Sequence, residues 1–118
     1  MNRLQHFLRA QTLYGLHSPF VYRLYTEVLF ARAPGHGRSA ADVAWRLERY
    51  YGVQPSATDP LTFDTPDGLF TLIPHPHRDE AAWRTLCESP LCTVSIDLYS
   101  CGLLVSNPRL HRQHFLLR

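Results

Sequence analysis

The residues of this chain that are able to do chemistry are few, and most of them are histidines. His75 and His77 form a His-x-His pair inside the proline-stiffened stretch Pro74-His75-Pro76-His77. Two imidazoles so placed can give two ligands to one metal ion, with Cys87 or Cys101 completing the set. The plainer account is a surface loop whose prolines fix a turn. No second cluster stands at a recognised ligand spacing, so the plainer account is preferred.

Gly35-His36-Gly37 is the only Gly-x-Gly in the sequence, and a helix start at Ser39 follows it. Free N–H groups at a helix start can hold an anion. The segment follows a helix rather than a strand, however, and so fails the context test for a dinucleotide-binding turn. Loop termination is the better explanation. Gly35 and Gly37 stay as candidate cofactor contacts together with Asp97, a carboxylate in a strand. By parity Asp97 falls with Thr93, Ser95 and Tyr99 on the wetter face. It is expected to be solvated, or paired with Arg78 or a neighbouring loop, rather than a catalytic base. His17-Ser18 suggests a base beside a nucleophile, but Ser18 is already explained as a helix cap and His17 is read as structural. His111 and His114 do not share a helical face and are read as exposed strand residues. No catalytic residue is assigned.

These side chains need elements to position them. Leu4, Phe7, Leu8 and Gln11 predict a short amphipathic helix over 1–12 that Gly15 stops. Ser18 as N-cap and Pro19 at the first helical position open a second helix over 20–32, with Val21, Leu24, Tyr25, Val28 and Leu29 on one face. After the breaker at 33–37, Ser39 and Asp42 make a capping box for a third helix. Its buried stripe is Val43, Leu47, Tyr50 and Tyr51, and Gly52 ends it. Residues 54–60 are rich in Pro, Ser, Thr and Asp and read as a loop.

Beyond it the periodicity changes. The runs at 61–63 and 69–73 flank Asp64-Thr65-Pro66-Asp67-Gly68 and predict a hairpin or a loop entering one strand. A helix follows over 78–88, packing through Ala82, Trp83 and Leu86. Then Cys92, Val94, Ile96 and Leu98 alternate with polar residues in a strand. Two more strands, at 103–105 and 114–117, are expected to close an antiparallel meander, and the strand–helix–strand unit before them to be a crossover.

The fold class expected is therefore α/β. One domain, 1–118, has a helical half (1–53) and a strand-rich half (61–118), with three N-terminal helices and a small mixed sheet of about four strands joined by one crossover helix. With 118 residues, 45% hydrophobic and 19% charged, the composition is that of a globular domain. Net charge is +2, too mild for a nucleic-acid footprint. All twelve basic residues are Arg, a bias that suits GC-rich coding and carries no functional weight. Three unpaired-looking cysteines and the lack of a signal peptide or long apolar run predict a cytoplasmic protein that is neither secreted nor membrane-embedded. The helical half is rich in aromatic residues, among them Tyr14, Phe20, Tyr22, Tyr25, Phe30, Trp45, Tyr50 and Tyr51. Rings that the short sheet cannot cover would form a partner surface.

Tyr14-Gly15-Leu16-His17-Ser18-Pro19-Phe20-Val21 resembles the entry segment of a group of bacterial class I S-adenosylmethionine-dependent methyltransferase-like proteins. Ala82-Trp83-Arg84, Val94-Ser95-Ile96-Asp97-Leu98-Tyr99, Gly102-Leu103-Leu104 and Gln113-His114-Phe115-Leu116-Leu117-Arg118 resemble that family's closing strands. The resemblance implies a Rossmann-like sheet binding its cofactor at strand tips, through a glycine-rich turn and a ribose-holding acid. The middle of that pattern is missing here, and Pro74-His75-Pro76-His77 stands where carboxylates are expected. The expectation is a truncated Rossmann-like, methyltransferase-like protein with no stand-alone catalysis and no cofactor of its own, acting through a protein partner or as a homodimer. The alternatives are a methyltransferase that uses S-adenosylmethionine only with a partner chain, and a small metal-binding protein.

Overall fold

The computed structural model describes Asn2 and residues 18–117. The helix expected over 1–12, together with Tyr14 and His17, lies outside the described residues. Helix α1 (Pro19–Leu24) starts as the sequence dictates: the Ser18 hydroxyl accepts from the Val21 N–H, and Pro19 occupies the first turn. It does not run on as an α-helix to residue 32. Residues Tyr25–Leu29 form a π turn, closed by the Phe30 N–H donating to the Tyr25 carbonyl, with the two rings stacked at 4.2 Å. Val28 and Leu29, neighbours in sequence, are both buried there.

Helix α2 (Ala40–Tyr51) keeps its expected bounds. Ser39 accepts from the Asp42 N–H and donates to the Asp42 carboxylate, and Gly52 closes the helix at φ 67°. Its inward face differs from the expected stripe. Val43, Ala44 and Leu47 are buried as an apolar face should be, but Tyr50 is exposed, and Arg46 turns inward.

The strand-rich half gives a five-stranded sheet, one strand more than expected: β1 (Leu61–Thr65), β2 (Gly68–Pro74), β3 (Val94–Asp97), β4 (Cys101–Ser106) and β5 (Gln113–Leu116). Pro66 and Asp67 make the turn of the β1–β2 hairpin. Helix α3 (Glu80–Glu88) follows a 3₁₀ turn at Pro76–Arg78 and is capped by Asp79, which accepts from the Ala82 N–H. Trp83 is its one buried residue, with Cys87 half-buried beside it; Ala82 and Leu86, expected on the packing face, are exposed.

The sheet order is β1-β2-β4-β3-β5. Every pair is antiparallel except β3 and β5, which are parallel. The expected meander is thus corrected. β4 already has β2 on one side and β3 on the other, so β5 cannot pair with it; β5 adds to the open side of β3, in parallel. The crossover reading fares better: β2 and β3 run in the same direction on either side of β4, joined through α3.

Alternation along the strands sorts two faces. Phe63, Phe70, Leu72, Val94, Ile96, Leu103, Val105 and Phe115 meet α1 and α2 in one apolar core. The opposite face meets α3, where Trp83, Cys92 and Leu104 form a much smaller cluster. Gly102 allows this second contact, because a Cβ there would lie 2.4 Å from the Trp83 ring. The outer edge of β1 is occupied by residue 56: the Ser56 N–H donates to the Thr62 carbonyl, and the Thr62 N–H to the Ser56 hydroxyl. The layers are helix, sheet, helix.

Candidate functional site

On the α3 face, Trp83 covers β4 and leaves β3 and β5 partly open. The result is a cleft of about 680 Å3 bounded by α3 on one side and β5 on the other. Its floor is read directly from register. Ser95 and His114 are cross-strand partners, as are Asp97 and Leu116, and these four line the same face of β3 and β5.

Asp97 is 1% exposed, so parity placed it with the polar residues but not in water. A carboxylate this buried needs partners. One oxygen accepts from the Tyr99 N–H at 2.8 Å, and the other lies 2.6 Å from His77 Nε2. The opposite ring nitrogen of His77 is 3.2 Å from Glu80, and the Tyr99 ring stacks on His77 with 5.1 Å between centroids. A left-handed Tyr99, at φ 71°, aims its N–H back at Asp97. His77 thus sits between two carboxylates, Glu80 three residues away in sequence and Asp97 twenty residues away, and the partner expected for Asp97, Arg78, is not the one it takes.

The other end of the cleft holds His114. Its Nδ1 is bonded to the Ser95 hydroxyl, and its ring leans on Trp83. The residue as a whole is exposed, but desolvation of part of its ring lowers its pKa, against a smaller opposing pull from Asp97, and so favours the neutral form. Reading His114 as merely an exposed strand residue missed this bond; the parallel β3–β5 register that creates it has no signal in local sequence. Cys87, on the cleft wall, is pushed up to about 11, mainly by burial, and stays a thiol. Cys101 is pushed to about 12 by burial and by Asp97.

The candidate metal pair is divided. His77 lines the main cleft, while His75, held at φ 46°, lines a separate depression with Ile73 and Leu86. Cys101 is buried on the far side, where its thiol approaches the Arg38 carbonyl. Among the described residues, no three His, Cys, Asp or Glu side chains converge so that they could hold one metal ion.

Gly35 and Gly37 are occupied by a residue that sequence reasoning passed over. Arg46 is 5% exposed and has no carboxylate partner among the described residues. It donates instead to four carbonyls: Gly37, His36, Val28 and Ala31, at 2.6–3.1 Å. Two of these belong to the end of the π turn, where the helix dipole is negative. The Gly35–Gly37 loop is therefore organised around a cation from α2, with carbonyls rather than N–H groups pointing inward. Gly35 takes φ 81° for its turn. Above the loop His36 stacks on Trp45 at 3.6 Å, and Asp42 lies 3.4 Å from the His36 ring. Hydrogen bonding to Ser39, foremost, holds the Asp42 carboxyl below its usual range.

The aromatic surface is largely absorbed. Phe20, Tyr25, Phe30 and Tyr51 pack against the core, and Tyr51 donates to Asp67, which also pairs with Arg23. Tyr22 and Tyr50 stay exposed at 47% and 39%.

No family model, curated protein or solved structure matches the chain. The fold stands as α/β with a five-stranded mixed sheet. No helix among the described residues is long and apolar enough to cross a membrane.

Proposed function

We propose that this chain is a truncated Rossmann-like, methyltransferase-like domain that does not catalyse alone and acts by binding another protein, with a second copy of itself as one form of that partner. The segments that carry the resemblance belong to one structural unit. Ser18-Pro19-Phe20-Val21 opens α1 over one sheet face, and the closing segments form α3, β3, β4 and β5 around the other.

One observation carries the reading. The groups best suited to hold a nucleoside, a glycine loop and a strand-end acid, are both used inside the protein. Carbonyls of the Gly35–Gly37 loop hold Arg46, and Asp97 faces His77 and the Tyr99 N–H. Nor does any described strand lead through a glycine turn into a helix, as a ribose-binding crevice requires. On the helical side Tyr22 and Tyr50 give the partner two aromatic anchors.

Isothermal titration with S-adenosylmethionine tests this. The expected result is no saturable heat from the isolated chain; micromolar binding would return the protein to the self-sufficient transferases.

A further inference from the structure

The α3–β5 cleft is lined by three carboxylates, Glu80, Glu88 and Asp97, and by two guanidinium groups, and these charges are unevenly committed. Asp97 and Glu80 are both directed at His77. Of the remaining lining residues, Glu88 is the one carboxylate, against two guanidinium groups, Arg84 from α3 and Arg112 from the segment entering β5. Neither arginine makes an ion pair among the described residues. Arg112 spends one N–H on the Cys87 carbonyl at 3.2 Å, which fixes it at the carboxyl end of α3 and leaves four donors. Arg84 is exposed and has no structural bond of this kind.

The same cleft is lined by flat or apolar groups: the Trp83 ring, Leu116 and the His114 imidazole. The volume of about 680 Å3 is within the range of small-molecule sites. We propose that this cleft binds a small organic anion, its planar apolar body against Trp83, His114 and Leu116, and its carboxylate or phosphate head between Arg84 and Arg112. A guanidinium pair suits either head group because both present oxygens at fork spacing. Arg112, tied to α3, is pre-positioned; Arg84 closes from the helix face.

The test uses the full chain, labelled with 15N and titrated with benzoate, phenyl phosphate, inorganic phosphate and benzylamine. The Trp83 indole resonance is identified by comparison with Trp45→Phe, since the chain has two tryptophans. The expected result is saturable shifts at the Trp83 indole and at the amides of His114 and Leu116 with one or both aromatic anions. Benzylamine, with the same ring and the opposite charge, leaves them in place. Arg84→Gln combined with Arg112→Gln weakens binding at least about tenfold while the rest of the spectrum is preserved. Shifts that stay linear to ~10 mM ligand overturn the proposal, as does benzylamine binding as well as benzoate, or a double variant that binds like the parent. Inorganic phosphate binding as tightly as phenyl phosphate overturns the apolar half of it.

Discussion

The two faces of the sheet are built from the same strands and by the same alternation, yet they do different work. On β3, Val94 and Ile96 enter a continuous apolar core under α1 and α2, while Ser95 and Asp97 face α3. Both pairs are almost fully buried. The first face excludes water by packing; the second excludes it while keeping polar groups that must be satisfied one by one. The cleft beside α3 opens on the second. A polar face that is buried rather than wet is where a domain of this size can keep a site.

Three experiments sharpen that contrast. Phe70→Ala, on the apolar face, is expected to cost about 3–5 kcal/mol in urea unfolding, since Phe70 is fully buried against Phe20 and Tyr51. A loss below about 1 kcal/mol would mean that this core is loosely packed. Asp97→Ala, on the polar face, should cost about 3 kcal/mol, because it leaves His77 beside Glu80 without its second carboxylate. Combined with His77→Leu, the loss should shrink, a non-additivity that an independent pair of sites would not show.

The smallest effect concerns pH. The folded pKa of His114 is below its unfolded value, so the unfolded chain binds the extra proton first. Stability from this residue is complete above pH 6.5 and declines as the pH falls below it. The acidic Glu88 and Asp97 and the basic Arg112 and Arg84 share the cleft with it. His114→Gln should flatten the slope of unfolding free energy between pH 6.5 and 5; an unchanged slope would place the titration elsewhere.

The sequence made the local features legible. Ser18-Pro19, Ser39 with Asp42, and Gly52 each mark a helix boundary through hydrogen bonds within a few residues, and all three stand where expected. The alternation at 92–98 likewise gave β3. What was not legible depends on contacts distant in the chain. Nothing near Gln113 tells it to join β3 in parallel rather than β4, and without that register the Ser95–His114 bond cannot be foreseen. The π turn and the inward Arg46 were hidden for the same reason, since an arginine on an amphipathic helix reads as solvent-facing until the carbonyls it holds are seen. His75 and His77 show the converse: adjacency in sequence made a shared metal site an alternative to the plainer loop, and the two side chains line separate depressions, with His75 in a left-handed turn.

Arg46 also bears on the absence of lysine from this chain. Four oxygens from two backbone segments, 28–31 and 36–37, converge on a single side chain, and an ammonium group has three protons to offer from a single point. Whatever mutational drift filled the surface with arginine, at position 46 the alternative codon would leave at least one oxygen without a hydrogen, so here the choice is dictated by geometry.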